Sequence, residues 1–307
     1  MLGAGLIVSR ALHYAALLAL FGGALFPFYA FASAEAPQAQ RLIKSLRPLQ
    51  VFSALIALAS GLGWFAFTAA AMAGRLPGAV DPRVWLSVMQ STDFGALWLG
   101  RLALIVVVLI VVAVRPRPAP WSWIAPTLAA LALASLAGTG HARTPDGWSG
   151  AVHALADVIH LVAAGVWLGG LWPLGVSVAW STSDRSDEVA ATREMLTRFS
   201  GVGYLAVASL VASGLANTWF LVRSIRLLTS TPYGLLLLLK IVFVVGMGML
   251  AVANRFWITP RLTEPASPAI AERLHRLRSN VLAEQALGLV VVAIVAILGT
   301  LQPAIAS

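Results

Sequence analysis

Residues 158–183 read VIHLVAAGVWLGGLWPLGVSVAWSTS, and none of them is Asp, Glu, Lys or Arg. A helix needs about 20 apolar residues to cross a bilayer, so this stretch can span a membrane. Only 11% of the chain is charged, against roughly 25% in a typical soluble domain, which excludes a soluble protein. Five more stretches of at least 23 residues lack charge in the same way: 11–34, 48–74, 118–142, 199–222 and 285–307.

The uncharged stretches predict an all-α polytopic membrane protein with eight transmembrane helices. Two shorter apolar runs reach the required length only when Arg101 and Lys240 are included. The predicted spans are about 5–31, 49–73, 94–114, 121–139, 151–179, 199–222, 233–254 and 280–301.

The charge balance predicts the orientation of these helices. The chain carries 21 basic and 12 acidic residues, and we attribute the excess to topology rather than to nucleic-acid binding. Alternate loops hold 13 Lys or Arg residues: 33–48, 115–120, 180–198 and 255–278. The remaining loops hold 5: 74–94, 140–150 and 223–232. Basic loops stay in the cytoplasm, so both termini are expected on the outer side, which would be the periplasm of a Gram-negative cell.

Four features recur in the same order and predict an internal duplication. His13 precedes Gly22-Gly23 as His160 precedes Gly169-Gly170, at an offset of 147 residues. The other three pairs are Ala59-Ser60-Gly61-Leu62 with Ala212-Ser213-Gly214-Leu215, Arg101 with Lys240, and Gly138-Thr139 with Gly299-Thr300. The chain 1–307 is therefore expected to be one membrane domain of two four-helix halves, 1–140 and 141–307. Because the halves run in the same direction, a pseudo-twofold axis along the membrane normal should relate them. We expect the glycine pairs to allow close helix contact.

Four of the five histidines fall in the predicted outer half of the membrane or in an outer loop. His153, Asp157 and His160 stand at i, i+4 and i+7, so they share one helix face. This stripe is either a metal site, with Asp157 as a ligand or as the partner that orients an imidazole, or a structural feature in which Asp157 pairs with Arg10. Since the chain has no cysteine, any metal is held by His, Met, carboxylate or backbone groups.

The repeated His13/His160 pair is stronger evidence for a binding site than the stripe, because the two imidazoles are expected at the same depth in the membrane. The alternative is that each histidine only hydrogen-bonds a neighbouring helix. Arg101 and Lys240 either extend to the interface or bind an anion. Tryptophans near the span ends, Trp98 among them, are expected in interfacial belts.

The run Gly140-His141-Ala142, the stripe from His153 to His160 and the segment Trp167-Leu168-Gly169-Gly170-Leu171 resemble the copper resistance protein D (CopD) family. The resemblance covers nearly the whole chain. It implies an inner-membrane protein that moves copper toward the cytoplasm beside a periplasmic partner of the CopC type. By matching, it carries over His141, His153 and His160 as metal ligands, to which the repeat adds His13.

Three hypotheses follow for the function. The first is copper transport without covalent chemistry, with Cu(II) at an outer site of His13, His141, His153 and His160, since imidazole suits Cu(II). The second is a haem b electron-transfer protein, with cupric reduction as one option, in which His13 and His160 are axial ligands and Arg101 and Lys240 hold the propionates. The third is a structural or assembly subunit. Nucleotide-binding and hydrolase motifs are absent from the sequence.

Overall fold

The computed structural model describes residues 2–33, 36–114, 123–139, 147–182, 186–262 and 268–306. All regular structure within these residues is helical. The α-helices are α1 (Leu2–Ala30), α2 (Pro37–Met72), α3 (Pro82–Ser91), α4 (Asp93–Val114), α5 (Ile124–Ala134), α6 (Gly147–Ala164), α7 (Gly170–Trp180), α8 (Ser186–Leu221), α9 (Ile225–Ser230), α10 (Pro232–Ala253) and α11 (Pro268–Leu298). Two π-helical turns continue α6 and α10, at Gly165–Gly169 and Asn254–Ile258. The 3₁₀ turns are Leu76–Val80, Ser135–Thr139, Thr259–Arg261 and Ala304–Ala306.

Seven helices in the described part of the chain are long and apolar enough to cross a membrane. They correspond to seven of the eight predicted spans, which confirms a polytopic membrane protein. The predicted fourth span is a shorter apolar helix, Ile124–Thr139. It falls short of the roughly 20 residues that a crossing needs, and residues 121 and 122 of the prediction lie outside the described residues.

Three of the spanning helices are longer than their apolar stretches. α2, α8 and α11 each begin about twelve residues before the predicted span, in a segment that carries basic side chains. Lys and Arg are excluded from lipid but are good helix formers. The basic residues therefore mark where the membrane-spanning part begins, while the helix itself continues through them. Hydropathy therefore located the membrane portion of each helix and missed its polar extension.

The two halves of the chain meet where α1 crosses the π turn after α6. A Cβ atom on Gly22 would overlap the backbone of Gly169, and a Cβ on Gly169 would overlap the Leu18 carbonyl. The predicted close contact of the glycine pairs is confirmed at these two positions. Phe21 lies against Gly165, and Tyr29, farther along α1, lies against Gly170, which is the order expected of two helices that run in the same direction.

One end of the bundle holds both the start of α1 and the end of α11. The Arg10 guanidinium packs against Gly299, which follows the last residue of α11. We call this the terminal end. His13 and His160 each precede their crossing glycine by nine residues, or about 13 Å of helix, so both histidines lie toward the terminal end.

Candidate functional site

His13 is fully buried between α1, α2 and α4, and its hydrogen bonds define its tautomer. Its Nδ1 lies 2.9 Å from the Ala57 carbonyl oxygen and 3.3 Å from Ser60 Oγ. A carbonyl oxygen only accepts, so Nδ1 carries the hydrogen and donates it. The Nε2 atom is therefore left with its lone pair, and it is buried without a hydrogen-bond partner. Such a nitrogen is available to a metal ion.

Two indole rings enclose the His13 imidazole. Trp98 stacks on it at 5.8 Å between ring centroids, and Trp64 meets it edge-on at 5.7 Å. Each indole carries a guanidinium on its ring, with Arg101 Cζ 4.5 Å from the Trp98 centroid and Arg10 Cζ 4.5 Å from that of Trp64. Both cations are attracted to the indole faces, so two positive charges lie on the rings that contact the imidazole.

Arg101 does not extend to the membrane interface as one interpretation of the sequence had it. The residue is 1% exposed. Its Nε donates to Ser135 Oγ at 2.7 Å, and its Nη2 donates to the Ser135 carbonyl at 2.6 Å. These acceptors belong to the 3₁₀ turn Ser135–Thr139, where carbonyl groups lack the partners of a regular helix. Arg101 thus ties α4 to this turn beside His13.

His160 has matching hydrogen bonds in the second half of the chain. Its Nδ1 lies 3.1 Å from Ser213 Oγ, and the Ser213 hydroxyl donates to the Ser209 carbonyl. Since that hydroxyl has only one hydrogen, Oγ accepts from the imidazole and Nδ1 carries the proton. Nε2 again holds the lone pair, and Lys240 Nζ lies 3.5 Å from it. An ammonium can only donate, which is consistent with this tautomer.

Asp157 and Arg10 do not form the ion pair that was one interpretation of the stripe. Within the described residues, no salt bridge joins them. Arg10 lies on Trp64, while Asp157 Oδ1 accepts from Asn217 Nδ2 at 3.3 Å. Trp64 and Asn217 each stand four residues after the serine that contacts the histidine. Arg10 and Asp157 therefore occupy matching positions against matching neighbours.

The two histidines thus lie in two clusters with the same arrangement of neighbours. The first cluster consists of Arg10, His13, Ser60, Trp64, Trp98 and Arg101, and the second of Asp157, His160, Ser213, Asn217 and Lys240. In each, a serine that donates to its own helix accepts from the imidazole Nδ1. In each, the next residue is a glycine beside the imidazole Cε1, Gly61 or Gly214. In each, a basic residue from a third helix lies nearby.

The side chains of His153, Asp157 and His160 do not converge on a common site. His153 is 2% exposed and stacks on Phe220 with centroids 4.7 Å apart, whereas Asp157 and His160 meet the neighbours already described. The described residues contain no group of three or more His, Cys, Asp and Glu side chains arranged to hold a metal. His141 lies outside the described residues.

The haem alternative finds no support in this geometry. Both indoles pack on the His13 ring, and the Arg101 guanidinium, assigned to a propionate, is bound to Ser135. His160 contacts a different set of helices, with its own lysine at Nε2. The two imidazoles thus occupy separate surroundings.

Sequence reasoning missed the residues that orient the imidazoles. Ser60 and Ser213 were visible only as part of the repeated Ala-Ser-Gly-Leu motif, and the available signal was that the motif recurs on the helix after each histidine. The assignment of Trp98 to an interfacial belt was wrong, because the residue is 1% exposed and packs on His13. Position near a span end does not distinguish a lipid-facing indole from an inward one.

Comparisons with known proteins place these residues in a family context. Residues 1–151 match the family described as "Copper resistance protein D-like, N-terminal domain", and residues 193–298 match "Copper resistance protein D". No solved structure matches the chain.

Three curated relatives align over most of this chain. It is 32% identical over 302 residues to "Inner membrane protein YebZ" of Escherichia coli (strain K12), covering 97% of this chain and 98% of that protein. It is 31% identical over 301 residues to "Copper resistance protein D" of Pseudomonas syringae pv. tomato, covering 97% and 96%. It is 28% identical over 247 residues to "Copper transport protein CutJ" of Bacillus subtilis (strain 168), covering 78% and 44%. These matches confirm the resemblance noted in the sequence.

Proposed function

We propose that this chain, which belongs to the copper resistance protein D family, transports copper across the bacterial inner membrane. The observation that carries the proposal is the His13 imidazole, whose Nδ1–H is held by a backbone carbonyl while its buried Nε2 has no partner. Metal-ligating histidines almost always donate their other N–H to a carbonyl or carboxylate in this manner. His160 has the same tautomer, and its Nε2 lone pair faces Lys240 Nζ at 3.5 Å, so the chain offers a second imidazole nitrogen of this kind.

The terminal end would face the periplasm and receive the metal. The 13-to-5 distribution of Lys and Arg supports this orientation, since loops at the other end carry the excess. Imidazole with oxygen ligands suits Cu(II), which a periplasmic partner of the CopC type would deliver. His141 and His153 would then act at the entrance, before the deeper histidines. Copper is the cargo in this proposal, and no covalent chemistry is involved.

The matching clusters support a four-plus-four duplication, with Ile124–Thr139 as the fourth crossing. A pseudo-twofold axis along the membrane normal would bring His13 and His160 to the same depth. Each imidazole then binds copper weakly and separately, and the two do not combine into one site of high affinity. Positive charges beside both clusters would keep copper from being trapped, because a nearby cation disfavours a resident metal ion.

Lys240 should weaken copper binding at His160. Replacing it with leucine removes a donor that competes for Nε2 without adding a copper ligand, but leaves the Asp157 carboxyl without its nearby positive charge. We therefore expect the balanced double variant Lys240→Leu/Asp157→Asn to bind copper about tenfold or more tightly in chelator competition with purified protein. The single variant Asp157→Asn is the control. Unchanged or weaker binding in the double variant contradicts competition by Lys240.

The two serines should differ in importance. His13 keeps the Ala57 carbonyl when Ser60 becomes alanine, whereas His160 loses its hydroxyl partner when Ser213 does. We expect Ser213→Ala to lower copper affinity by about ten- to hundredfold and Ser60→Ala to have a smaller effect. The same competition assay measures both. Equal losses would show that the carbonyl does not orient His13.

Reconstitution tests the transport proposal directly. Purified protein is incorporated into vesicles that contain a copper-sensitive chelating dye, and uptake is compared with that of empty vesicles. We expect uptake above the empty control, and a purified protein without a Soret band. Lack of uptake contradicts copper transport, and a Soret band would restore the haem alternative.

A further inference from the structure

A buried carboxyl lies in the half of the bundle away from the histidines. Glu284 of α11 is 2% exposed. It stands six residues after Arg278, whose guanidinium donates to the Val178 carbonyl at the end of α7. Six residues of helix rise about 9 Å, so Glu284 lies about that far from the end of α7, immediately before the uncharged stretch of α11 that begins at residue 285. Neither histidine cluster includes it.

Only an uncharged hydrogen bond supports this carboxyl. Asn254 Nδ2 donates to Glu284 Oε1 at 2.7 Å, and Asn280 Nδ2 donates to Asn254 Oδ1 at 2.7 Å. Thr259 Oγ1 donates to the Asn254 carbonyl at the start of the π turn Asn254–Ile258. In the described chain no salt bridge reaches Glu284. Its second oxygen has no hydrogen-bond partner among these residues.

Glu284 also forms part of the wall of a cavity of about 620 Å³. α8, α10 and the π turn supply most of the wall, and apolar side chains dominate it. The other charged or titratable groups in the wall are Arg255 of the π turn and Tyr204 of α8, and α7 and α10 contribute only apolar residues. Tyr204 and Met249 are 53% and 68% exposed on the outer surface of the bundle. The cavity is much larger than the space that one water molecule needs, and Ser200, Tyr204, Asn254 and Thr259 supply polar groups to its wall.

An ionised carboxylate that is 2% exposed and has one amide donor would be poorly compensated. It must carry a proton or hold a cation. Asn254 already uses its amide oxygen to accept from Asn280, which leaves few oxygen atoms to surround a metal ion, whereas a proton needs none. The geometry therefore favours a proton.

We propose that Glu284 binds a proton and exchanges it through this cavity as copper crosses the membrane. The coupling to copper rests on the proposed function, but the proton site itself does not. In the exchange, the O–H bond of the Glu284 carboxyl breaks and its proton passes to cavity water. The positive charge of copper in this half of the bundle then compensates the carboxylate until a proton returns.

Infrared spectroscopy of the purified protein tests the proton site. A protonated carboxyl gives a C=O stretching band that shifts in D₂O. We expect the wild-type protein to show this band near neutral pH and Glu284→Gln to lose it. Glu272→Gln, at an exposed position of the same helix, is the matched control and should retain it. A band that keeps its full intensity in Glu284→Gln, or that appears only when Na⁺ is omitted, overturns the proton assignment.

Vesicle uptake with a pH-sensitive dye tests the coupling. We expect copper uptake to move protons in the wild type and in Glu272→Gln, and this proton movement to be lost in Glu284→Gln. Proton movement that persists in Glu284→Gln overturns the coupling. If no protein takes up copper, the transport function fails, while the infrared result still decides whether Glu284 carries a proton.

Discussion

Changing His13 to alanine is expected to lower copper uptake by about 100-fold. The variant removes a buried Nε2 lone pair that no other described group of the first cluster replaces. Loss of partners that merely orient a metal-binding histidine already lowers affinity ten- to hundredfold, so loss of the ligand should reach the upper end of that range. Uptake into dye-loaded vesicles and copper binding in detergent measure the effect. His160→Ala should behave similarly.

The His13 test needs variants that separate binding from folding. His13 is fully buried between two indoles, so alanine also leaves a void. His13→Gln keeps much of the volume and an N–H that can donate to the Ala57 carbonyl, and should fold while still losing uptake. His275→Ala, on an exposed position of α11, is the matched control and should retain uptake. Full uptake by a folded His13→Gln variant would exclude His13 as a copper ligand.

Changing Gly169 to valine should disrupt the association of the two halves. A side chain there would overlap the backbone of α1 at the Leu18 carbonyl, and neither backbone can move aside without separating the helices. Overpacking a well-packed core typically costs about 1–3 kcal/mol. Because the overlap here is with backbone atoms, we expect a destabilisation of about 3 kcal/mol or more. The unfolding temperature of the purified protein in mild detergent measures it.

A glycine with open surroundings provides the control for Gly169. A Cβ atom added to Gly201 of α8 would meet no other atom within 4 Å. Gly201→Val should therefore leave the unfolding temperature unchanged or slightly higher, since glycine is itself unfavourable within a helix. Gly22→Val should resemble Gly169→Val, because its Cβ meets the Gly169 backbone. Equal stability of the Gly169 and Gly201 variants would show that the crossing is not tightly packed.

The sequence predicted the site in outline because its strongest signals are local or repeated. His13 and His160 were identified by a shared distance to a glycine pair, and that pair does mark the crossing. The i, i+4, i+7 stripe shows the limit of such local signals. Residues on one helix face point the same way but lie at different heights along the helix. His153, Asp157 and His160 therefore contact three different neighbours.

Other features could not be predicted because they depend on residues distant in the chain. The His13 tautomer is set by Ala57, 44 residues away, and Trp98 is buried because α4 turns it toward His13. Glu284 was visible as an isolated acidic residue, but its cavity is formed by α8 and α10. None of these contacts produces a periodic pattern that can be recognised in the sequence.

The sequence by itself determined that this chain lies in a membrane, where its helices run and which residue types repeat. It could do so because the transfer of a charged side chain into lipid is so unfavourable that uncharged stretches identify the spans. Only the tertiary structure decided which imidazole nitrogen is free, which basic residue lies beside each histidine and where a carboxyl is isolated. Those properties arise from the rotation and approach of whole helices, which packing sets and local hydropathy does not encode.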